Sequence, residues 1–156
     1  MTPNVDERLA SIVRALSEVI LPHLPPEASL AQEQVHLCIG HLQILRAQFD
    51  AVPAFEREEL EDALSVARDL ADAVTGGDHT TGAVTAIRSA VAAADGSDVR
   101  SQRTAVLQAV EALVKAVSID GSAQSKAALT AVTLNHEAPR TLKDRQWFAP
   151  FGFDTL

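Results

Sequence analysis

Apolar residues recur at helical spacing along most of this chain, and no other feature of the sequence limits the fold as strongly. The first stretch places its apolar side chains within one sector of a helical wheel: Val5, Leu9, Ile12, Val13, Leu16, Val19 and Ile20. Similar spacing returns in five further stretches, over about residues 30–51, 55–74, 81–94, 98–118 and 123–135. Proline or glycine separates each stretch from the next, because these residues end helices. The sequence therefore predicts an all-α fold.

Residue pairs with capping chemistry mark two of the predicted helix starts. Asn4 with Glu7, and Ser29 with Gln32, have the three-residue spacing of a capping box. In that motif, side chains accept hydrogen bonds from backbone N–H groups that the first helical turn leaves unpaired. The two pairs predict one helix that begins just after Asn4 and another that begins just after Ser29.

Two connections in the second half of the chain read alike, Asp95-Gly96-Ser97 and Asp120-Gly121-Ser122. In each, we expect the glycine to end one helix in the left-handed conformation and the serine to cap the next helix. Connections this short force neighbouring helices to run antiparallel. The prediction is therefore an antiparallel bundle of five or six helices with an aromatic C-terminal tail.

Composition and charge narrow the classes of function. The 156 residues are 47% hydrophobic and 22% charged, which is the balance of a folded globular protein. The net charge of −8 arises in the first half: residues 1–75 hold 13 acids and 5 arginines, whereas residues 76–156 hold 8 acids and 8 bases. Nucleic-acid binding needs clustered lysine and arginine, so this balance argues against it. The acidic half is interpreted as a solvated surface, with a docking face for a basic partner as the alternative.

Cysteine usage and hydropathy bear on the location of the protein. The single cysteine, Cys38, cannot form an intramolecular disulfide, which fits a reducing compartment. Residues 1–7 lack the basic and apolar stretches of a signal peptide. No run approaches the roughly 20 apolar residues of a membrane span. We therefore predict a cytoplasmic protein that does not bind membranes.

Pro139 is expected to end the bundle, which gives a helical bundle over residues 1–138 and a tail over residues 139–156. Four of the six aromatic residues of the chain lie among its last ten residues: Trp147, Phe148, Phe151 and Phe153. Aromatic rings at a solvated chain end expose much apolar area, so either the bundle or another chain must cover them. Together with Arg145, these residue types are typical of interface hot spots. We predict that these five residues bind a protein partner, with packing on the bundle as the alternative.

A second candidate site lies in the predicted helix over residues 30–51, where one face carries Gln32, His36, Gly40, Gln43 and Ala47. The candidate ligand-binding residues are His36, Gly40 and Gln43, with Glu33 as a possible addition. That face is small and polar, and glycine within a helix costs roughly 1 kcal/mol relative to alanine, which favours a close helix contact or a bound ligand. Glu33 and His36 have the spacing of a di-iron ligand pair, but no second such pair occurs. We therefore predict no metal and no cofactor. Cys38 is interpreted as a small residue of the core.

No nucleophile elbow, phosphate-binding loop or other catalytic signature stands in the sequence, and no motif points to a particular family. Enzymatic activity is thus undecided, and the sequence favours a non-catalytic helical accessory protein. It would act as a homodimer, or as the small partner of a larger bacterial protein, through its aromatic tail. The alternative is a ligand-binding or enzymatic bundle with a site near His36, Gly40 and Gln43 and with the tail as a lid.

Overall fold

A computed structural model shows an all-helical chain and describes residues 4–151. The helices are α1 (Val5–Arg14), α2 (Ser29–Gln48), α3 (Val52–Ala73), α4 (Asp78–Ala93), α5 (Val99–Asp120) and α6 (Ala123–Phe148). The regular structure of these residues also includes a π-helical turn, Ala15–Ile20, and two 3₁₀ turns, Leu21–His23 and Ala149–Phe151. The all-α prediction is confirmed. Within residues 4–151, every helix is too short or too polar to cross a bilayer.

The chain forms two compact units, unit 1 (Met1–Val52) and unit 2 (Pro53–Leu156). The boundary lies at the start of α3, where Pro53 is the second helical residue. Proline suits the first turn of a helix, because the N–H that it lacks would have no partner there. The division into a bundle over residues 1–138 and a tail over residues 139–156 remains a prediction.

The start of α1 has the predicted capping box. Asn4 Oδ1 accepts a hydrogen bond from Glu7 N at 2.8 Å, and Glu7 Oε2 accepts one from Asn4 N at 2.9 Å. The second predicted box is wrong, because α2 begins at Ser29 itself and no side chain caps it. Gln32 Nε2 instead donates to the Pro25 carbonyl oxygen at 2.9 Å, which ties α2 to the preceding loop.

The helix predicted over residues 5–20 is a regular α-helix only as far as Arg14. A π-helical turn and a 3₁₀ turn that contains Pro22 follow it. A proline ring clashes with the carbonyl group four residues earlier, here that of Glu18, so a regular helix cannot continue through this point. The wider π turn changes the direction in which Val19 and Ile20 point relative to α1.

Helices α1 and α2 pack against each other as the helical hairpin of unit 1. A bidentate ion pair joins the first turn of α1 to the last turn of α2. Arg46 Nε lies 2.8 Å from Asp6 Oδ1, and Arg46 Nη2 lies 3.1 Å from Asp6 Oδ2. The hydrogen bonds from Arg46, together with its charge, hold the pKa of Asp6 below its usual value.

An Arg46→Gln variant is expected to raise the pKa of Asp6, because the donor and the charge that stabilise the carboxylate are both lost. In the native chain the folded-state pKa is lowered. The pair therefore stabilises the hairpin above the unfolded-state pKa of about 3.9, and the contribution is lost as the pH falls through the folded-state pKa. A carboxyl ¹³C NMR titration measures the shift. An Asp6 pKa that is equal in both proteins would contradict the pairing.

Unit 2 is built around one apolar core to which its four long helices contribute. The buried residues are Ala63, Ala67, Leu70 and Ala71 of α3, Val74 just after it, Ile87 of α4, and Val106, Leu113 and Val117 of α5. Leu129 and Val132 of α6 pack against this cluster. Four of the nine buried residues of this cluster belong to α3, so this helix supplies the largest share of the core of unit 2.

The turn after α3 and the end of α5 are bonded to each other. Gly77 N donates to the Asp120 carbonyl oxygen at 3.2 Å. The Asp120 side chain also caps α4: its Oδ2 accepts from His79 N at 2.8 Å, and its Oδ1 accepts from Thr80 N at 3.0 Å and Thr80 Oγ1 at 2.6 Å. A residue at the end of α5 therefore satisfies N–H groups that the first turn of α4 leaves unpaired. These bonds hold the pKa of Asp120 below its usual value.

The connection between α5 and α6 confirms one expectation and corrects another. Ser122 caps α6 as predicted, because its Oγ accepts from Ser125 N at 3.0 Å. Gly121, however, has φ −67° and ψ 143°, which is extended rather than left-handed. A Cβ at Gly121 would lie 2.5 Å from the Val117 carbonyl oxygen, so glycine is needed here for space and not for a positive φ.

The matching connection between α4 and α5 differs in its details. Gly96 takes the predicted left-handed conformation, with φ +78°. The cap of α5 is Asp98 rather than Ser97, since Asp98 Oδ1 accepts from Ser101 N at 3.1 Å. The two connections therefore share a sequence pattern but not a backbone conformation.

Candidate functional sites

Helix α6 continues through Pro139 and carries the first part of the predicted tail, so the expectation that Pro139 ends the last helix is wrong. Proline removes one helical hydrogen bond, but contacts with α3 hold the segment beyond it. Trp147 stacks on Phe55, with ring centroids 4.3 Å apart and ring planes at 25°. Lys143 Nζ lies 5.4 Å from the centroid of the same Phe55 ring. These contacts compensate for the bond lost at Pro139.

The five predicted partner-binding residues differ in their surroundings. Trp147 is half-buried against α3, so unit 2 itself covers part of this ring. Phe148 is 43% exposed, and Arg145 is exposed as well. Phe151 ends the last 3₁₀ turn, and Phe153 lies outside the described residues. Binding of a partner by this segment stays a prediction.

The second predicted site lies on α2 of unit 1, where Glu33, His36 and Gln43 are exposed. His36 Nδ1 lies 2.9 Å from the Gln32 carbonyl oxygen one helical turn earlier. Gly40 is half-buried, but a Cβ built there would meet no atom within 4 Å. The close helix contact expected at Gly40 is therefore not made within the described part of the chain.

Cys38 is exposed on α2, which corrects the expectation that it belongs to the core. The reason is that unit 1 buries a single hydrophobic residue of α2, Ile44, among residues 4–52 and covers little else of this helix. Within residues 4–151, no group of three or more His, Cys, Asp and Glu side chains is arranged to hold a metal ion.

Unit 1 leaves many of its large apolar side chains exposed. Among residues 4–52, Ile44 is the one hydrophobic residue that is buried, whereas eleven are buried in the described part of unit 2. We call the following eight residues, each between 43% and 69% exposed, the unit 1 apolar surface: Val5, Ile12, Val19, Ile20, Leu30, Leu37, Leu45 and Phe49. A surface this rich in apolar side chains is typical of association sites.

Unit 2 holds a carboxylate that is buried among cations. Glu59 of α3 is only 7% exposed. Lys143 Nζ lies 2.7 Å from Glu59 Oε1, and Arg103 Nη1 and Arg140 Nη2 each lie 3.5 Å from Glu59 Oε2. The ammonium of Lys143 therefore pairs with Oε1 of the buried carboxylate, and the two arginines lie near Oε2. Such pairing is what a buried carboxylate normally needs.

The cations around Glu59 are held in their charged forms. Burial alone would lower the pKa of Lys143, but its hydrogen bond to Asp62 and its close approach to Glu59 outweigh burial and raise it. Burial likewise opposes the charge on Arg140, and the charges of Glu59 and Glu137 raise its pKa above the usual value. Lys143 and Arg140 therefore stay charged over the whole range of physiological pH.

A cavity of about 290 Å³ lies beside this cluster, entirely within unit 2. Its charged wall includes three carboxylates and three cations: Glu59, Asp62, Glu137, Arg103, Arg140 and Lys143. Its apolar wall is formed by Ala63, Val66, Leu70, Leu107 and Val110. Ligand pockets typically combine an apolar lining with a few convergent polar groups, and the volume is near the lower end of their range of about 300–1,000 Å³. The arrangement suits a small molecule with one polar end.

The Glu59 cluster is a feature that sequence reasoning missed. Glu59 stands in a run of acids over residues 56–62, where a helix start alone explains negative charge. One signal was available: Glu59 is four residues before Ala63, so it falls on the apolar stripe of α3. The arginines and the lysine that surround it come from α5 and α6, and no local pattern shows that they converge.

Comparison with known proteins found no match of any of three kinds: no protein-family model, no curated protein and no solved structure matches this chain.

Proposed function

We propose that this chain is a non-catalytic interaction protein that pairs with a second copy of itself through the unit 1 apolar surface. The main support for this proposal is that unit 1 buries one hydrophobic residue among residues 4–52 and leaves eight large ones exposed. Units of about 50 residues rarely gain enough stability from their own core, and association is a common way to supply the rest. A second copy would cover the surface that unit 1 leaves open.

The positions of these residues favour a helical partner. Val5 and Ile12 are seven residues apart on α1, and Leu30 and Leu37 are seven residues apart on α2. Residues seven apart stay on nearly the same stripe of an α-helix, which is the pattern by which helices pair side by side. Gly40 lies three residues after Leu37 on the same stripe, and the open space at its Cβ position would let a partner helix approach closely.

The exposed area is consistent with a dimer interface. Full burial of a large apolar side chain is worth about 1.5–3 kcal/mol, which at about 25 cal/mol per Å² corresponds to about 60–120 Å² of apolar area. Eight side chains that are about half exposed therefore offer roughly 250–500 Å² of apolar area per copy. A standard interface takes about 800 Å² per partner, and about 65% of a homodimer interface is apolar. The unit 1 apolar surface therefore supplies between half and all of the apolar area that a stable dimer needs.

In the proposed dimer, two copies of the α1–α2 hairpin form a four-helix arrangement around a twofold axis. Such an axis places the same surface of each copy against itself, so one apolar surface is sufficient. A cytoplasmic location is part of the same proposal, since the exposed thiol of Cys38 remains reduced there. Phe148 of unit 2, which is 43% exposed, is not part of this interface.

Ile12→Glu and Leu37→Glu are each expected to weaken dimerisation about 100-fold or more. Each change places two carboxylates per dimer in an apolar interface and removes two apolar contacts, and every 1.4 kcal/mol corresponds to about tenfold in affinity. Ile119→Glu is the matched control, because Ile119 is 64% exposed on α5 of unit 2. Sedimentation equilibrium of the full chain and of each variant measures the dissociation constant.

The native chain and Ile119→Glu should then sediment as dimers, and the two unit 1 variants should shift towards the monomer mass of 16.6 kDa. A native chain that stays monomeric at all concentrations would rule out self-association. Equal weakening by all three substitutions would show that the interface is not in unit 1.

A further inference from the structure

We propose that the cavity beside Glu59 binds an uncharged organic molecule that has a short apolar body and one amide or hydroxyl end. This site goes beyond the proposed self-association, because every residue that lines it belongs to unit 2. The proposal rests on three features of the cavity: a charged wall whose groups are already paired, an apolar wall, and a small volume.

Every charged group of the charged wall already has an opposite charge beside it. The wall has three carboxylates and three cations, so its formal charges cancel. The ion pairs are those of Lys143 with Glu59 and Asp62, of Arg140 with Glu59 and Glu137, and of Arg103 with Glu59. The wall therefore offers neither sign of charge an unpaired counter-charge.

An ionic occupant of either sign would gain little from such a wall. A carboxylate would meet three carboxylates beside the three cations, and an ammonium would meet the same mixture. Either ion would also lose hydration, which costs far more than the desolvation of an amide or a hydroxyl. An amide or hydroxyl still finds partners, because the wall has both carboxylate acceptors and guanidinium donors. The charged wall thus favours an uncharged polar end over either ion.

The apolar body is assigned from the apolar wall, to which α3 and α5 both contribute. Val66 of α3 and Val110 of α5 are half-buried there, and Leu107 of α5 is 41% exposed. These side chains are open enough for an occupant to contact them, and covering them removes apolar area from water. The wall therefore selects a hydrocarbon body rather than a second polar group.

The volume of the cavity limits the size of the occupant. A cavity of about 150 Å³ can hold one benzene molecule. At about 290 Å³, this cavity has room for a molecule of roughly ten non-hydrogen atoms. That size fits a short-chain amide or alcohol and excludes a nucleotide or a folded peptide.

Hexanamide, hexanoate and hexylammonium form a matched series of probes that share a six-carbon chain and differ at one end. Titration of each into the full ¹⁵N-labelled native chain, followed by amide NMR shifts, measures the dissociation constant and locates the site. Hexanamide is expected to shift amides of α3, α5 and α6 around the cavity. Hexanoate and hexylammonium are each expected to bind about tenfold or more weakly than hexanamide.

Butanamide tests the apolar wall, because it keeps the amide end and lacks two CH₂ groups. Each buried CH₂ group is worth about 0.8 kcal/mol, so butanamide is expected to bind about tenfold more weakly than hexanamide. Equal binding of the two amides would show that the chain does not contact the apolar wall, and it would contradict the assignment of the body.

Val110→Phe is expected to weaken hexanamide binding about tenfold or more, because the larger side chain takes space that the apolar body needs. Val114→Phe is the matched control: it makes the same change one turn further along α5, where Val114 is 42% exposed and does not line the cavity. The amide spectra show whether each variant is folded. The probe series uses the native chain alone, so it decides the proposal whatever the stability of Val110→Phe.

Three further results would overturn the proposal. The first is the absence of hexanamide binding below about 10 mM. The second is an ion, either hexanoate or hexylammonium, that binds as tightly as hexanamide. The third is a folded Val110→Phe variant that binds hexanamide as the native chain does.

Discussion

Leu113→Ala is expected to lower the free energy of unfolding by about 3–5 kcal/mol, the largest effect of any single substitution considered. Leu113 of α5 is fully buried in the core of unit 2, where it belongs to the cluster that joins α3, α4 and α5. Removal of a buried leucine side chain costs the lost transfer free energy and a term for the cavity that remains. The free energy of unfolding of a natural domain is about 5–15 kcal/mol in total, so this substitution removes a large share of it. Urea unfolding followed by circular dichroism measures it.

The control for Leu113→Ala is Leu134→Ala on α6. Leu134 is 65% exposed, so its loss should change the free energy of unfolding by no more than about 0.5 kcal/mol. The two variants make the same chemical change on neighbouring helices in the sequence, and they differ in burial alone. If both variants lowered the free energy of unfolding equally, the position of the core described for unit 2 would be wrong.

Asp120→Ala is expected to destabilise unit 2 by about 2–4 kcal/mol. The substitution removes the acceptor of three hydrogen bonds, those from His79 N, Thr80 N and Thr80 Oγ1. Thr80 is fully buried, so its hydroxyl would be left without this partner and away from water. Each buried donor that loses its acceptor costs about 1–3 kcal/mol. Thermal unfolding of the native chain and the variant gives the difference.

Asp98→Ala is the matched control for Asp120→Ala, because both aspartates cap a helix. Asp98 caps its own helix α5 with one bond to Ser101 N and is exposed, so its loss should cost only about 1 kcal/mol. Asp120 caps a different helix, α4, from the end of α5. If Asp120→Ala and Asp98→Ala lowered the stability equally, the hydrogen bonds between Asp120 and the first turn of α4 would have no special role.

Helical periodicity was sufficient to predict an all-helical chain, but not where the first and last helices end. The capping box of Asn4 and Glu7 and the cap at Ser122 also follow from local sequence, because each partner lies three residues away. Local rules failed where contacts distant in sequence decide the outcome. The segment after Pro139 stays helical because Trp147 and Lys143 pack on Phe55 of α3, which no local pattern reveals.

The candidate sites likewise combine features that follow from local sequence with features that depend on contacts distant in sequence. The sequence shows that α2 carries apolar residues at helical spacing, but it does not show that unit 1 leaves residues such as Leu30 and Leu37 exposed. Exposure depends on what α1 can cover, and the π turn before Pro22 alters the direction of its last apolar residues. The Glu59 cluster depends on three helices, so it becomes visible only once these are assembled.

The two proposals can fail independently. The unit 1 apolar surface and the Glu59 cavity share no residue and lie in different units. Loss of dimerisation in Ile12→Glu should therefore leave hexanamide binding unchanged. Likewise, Val110→Phe should leave the dissociation constant of the dimer unchanged. A variant that altered both properties would link the sites.

The most direct test of self-association uses Cys38, the single cysteine of the chain, as a site for a spin label. Cys38 is exposed near the middle of α2, so two paired hairpins would bring two labels together. Packed helices lie about 8–10 Å apart, and with the length of the labels we expect a distance below about 25 Å by double electron–electron resonance. Sedimentation of the labelled chain confirms that the label leaves the dimer intact. A dimer whose labels lie beyond about 40 Å, well outside the packing distance of paired helices, or a chain with no dipolar signal would contradict pairing through unit 1.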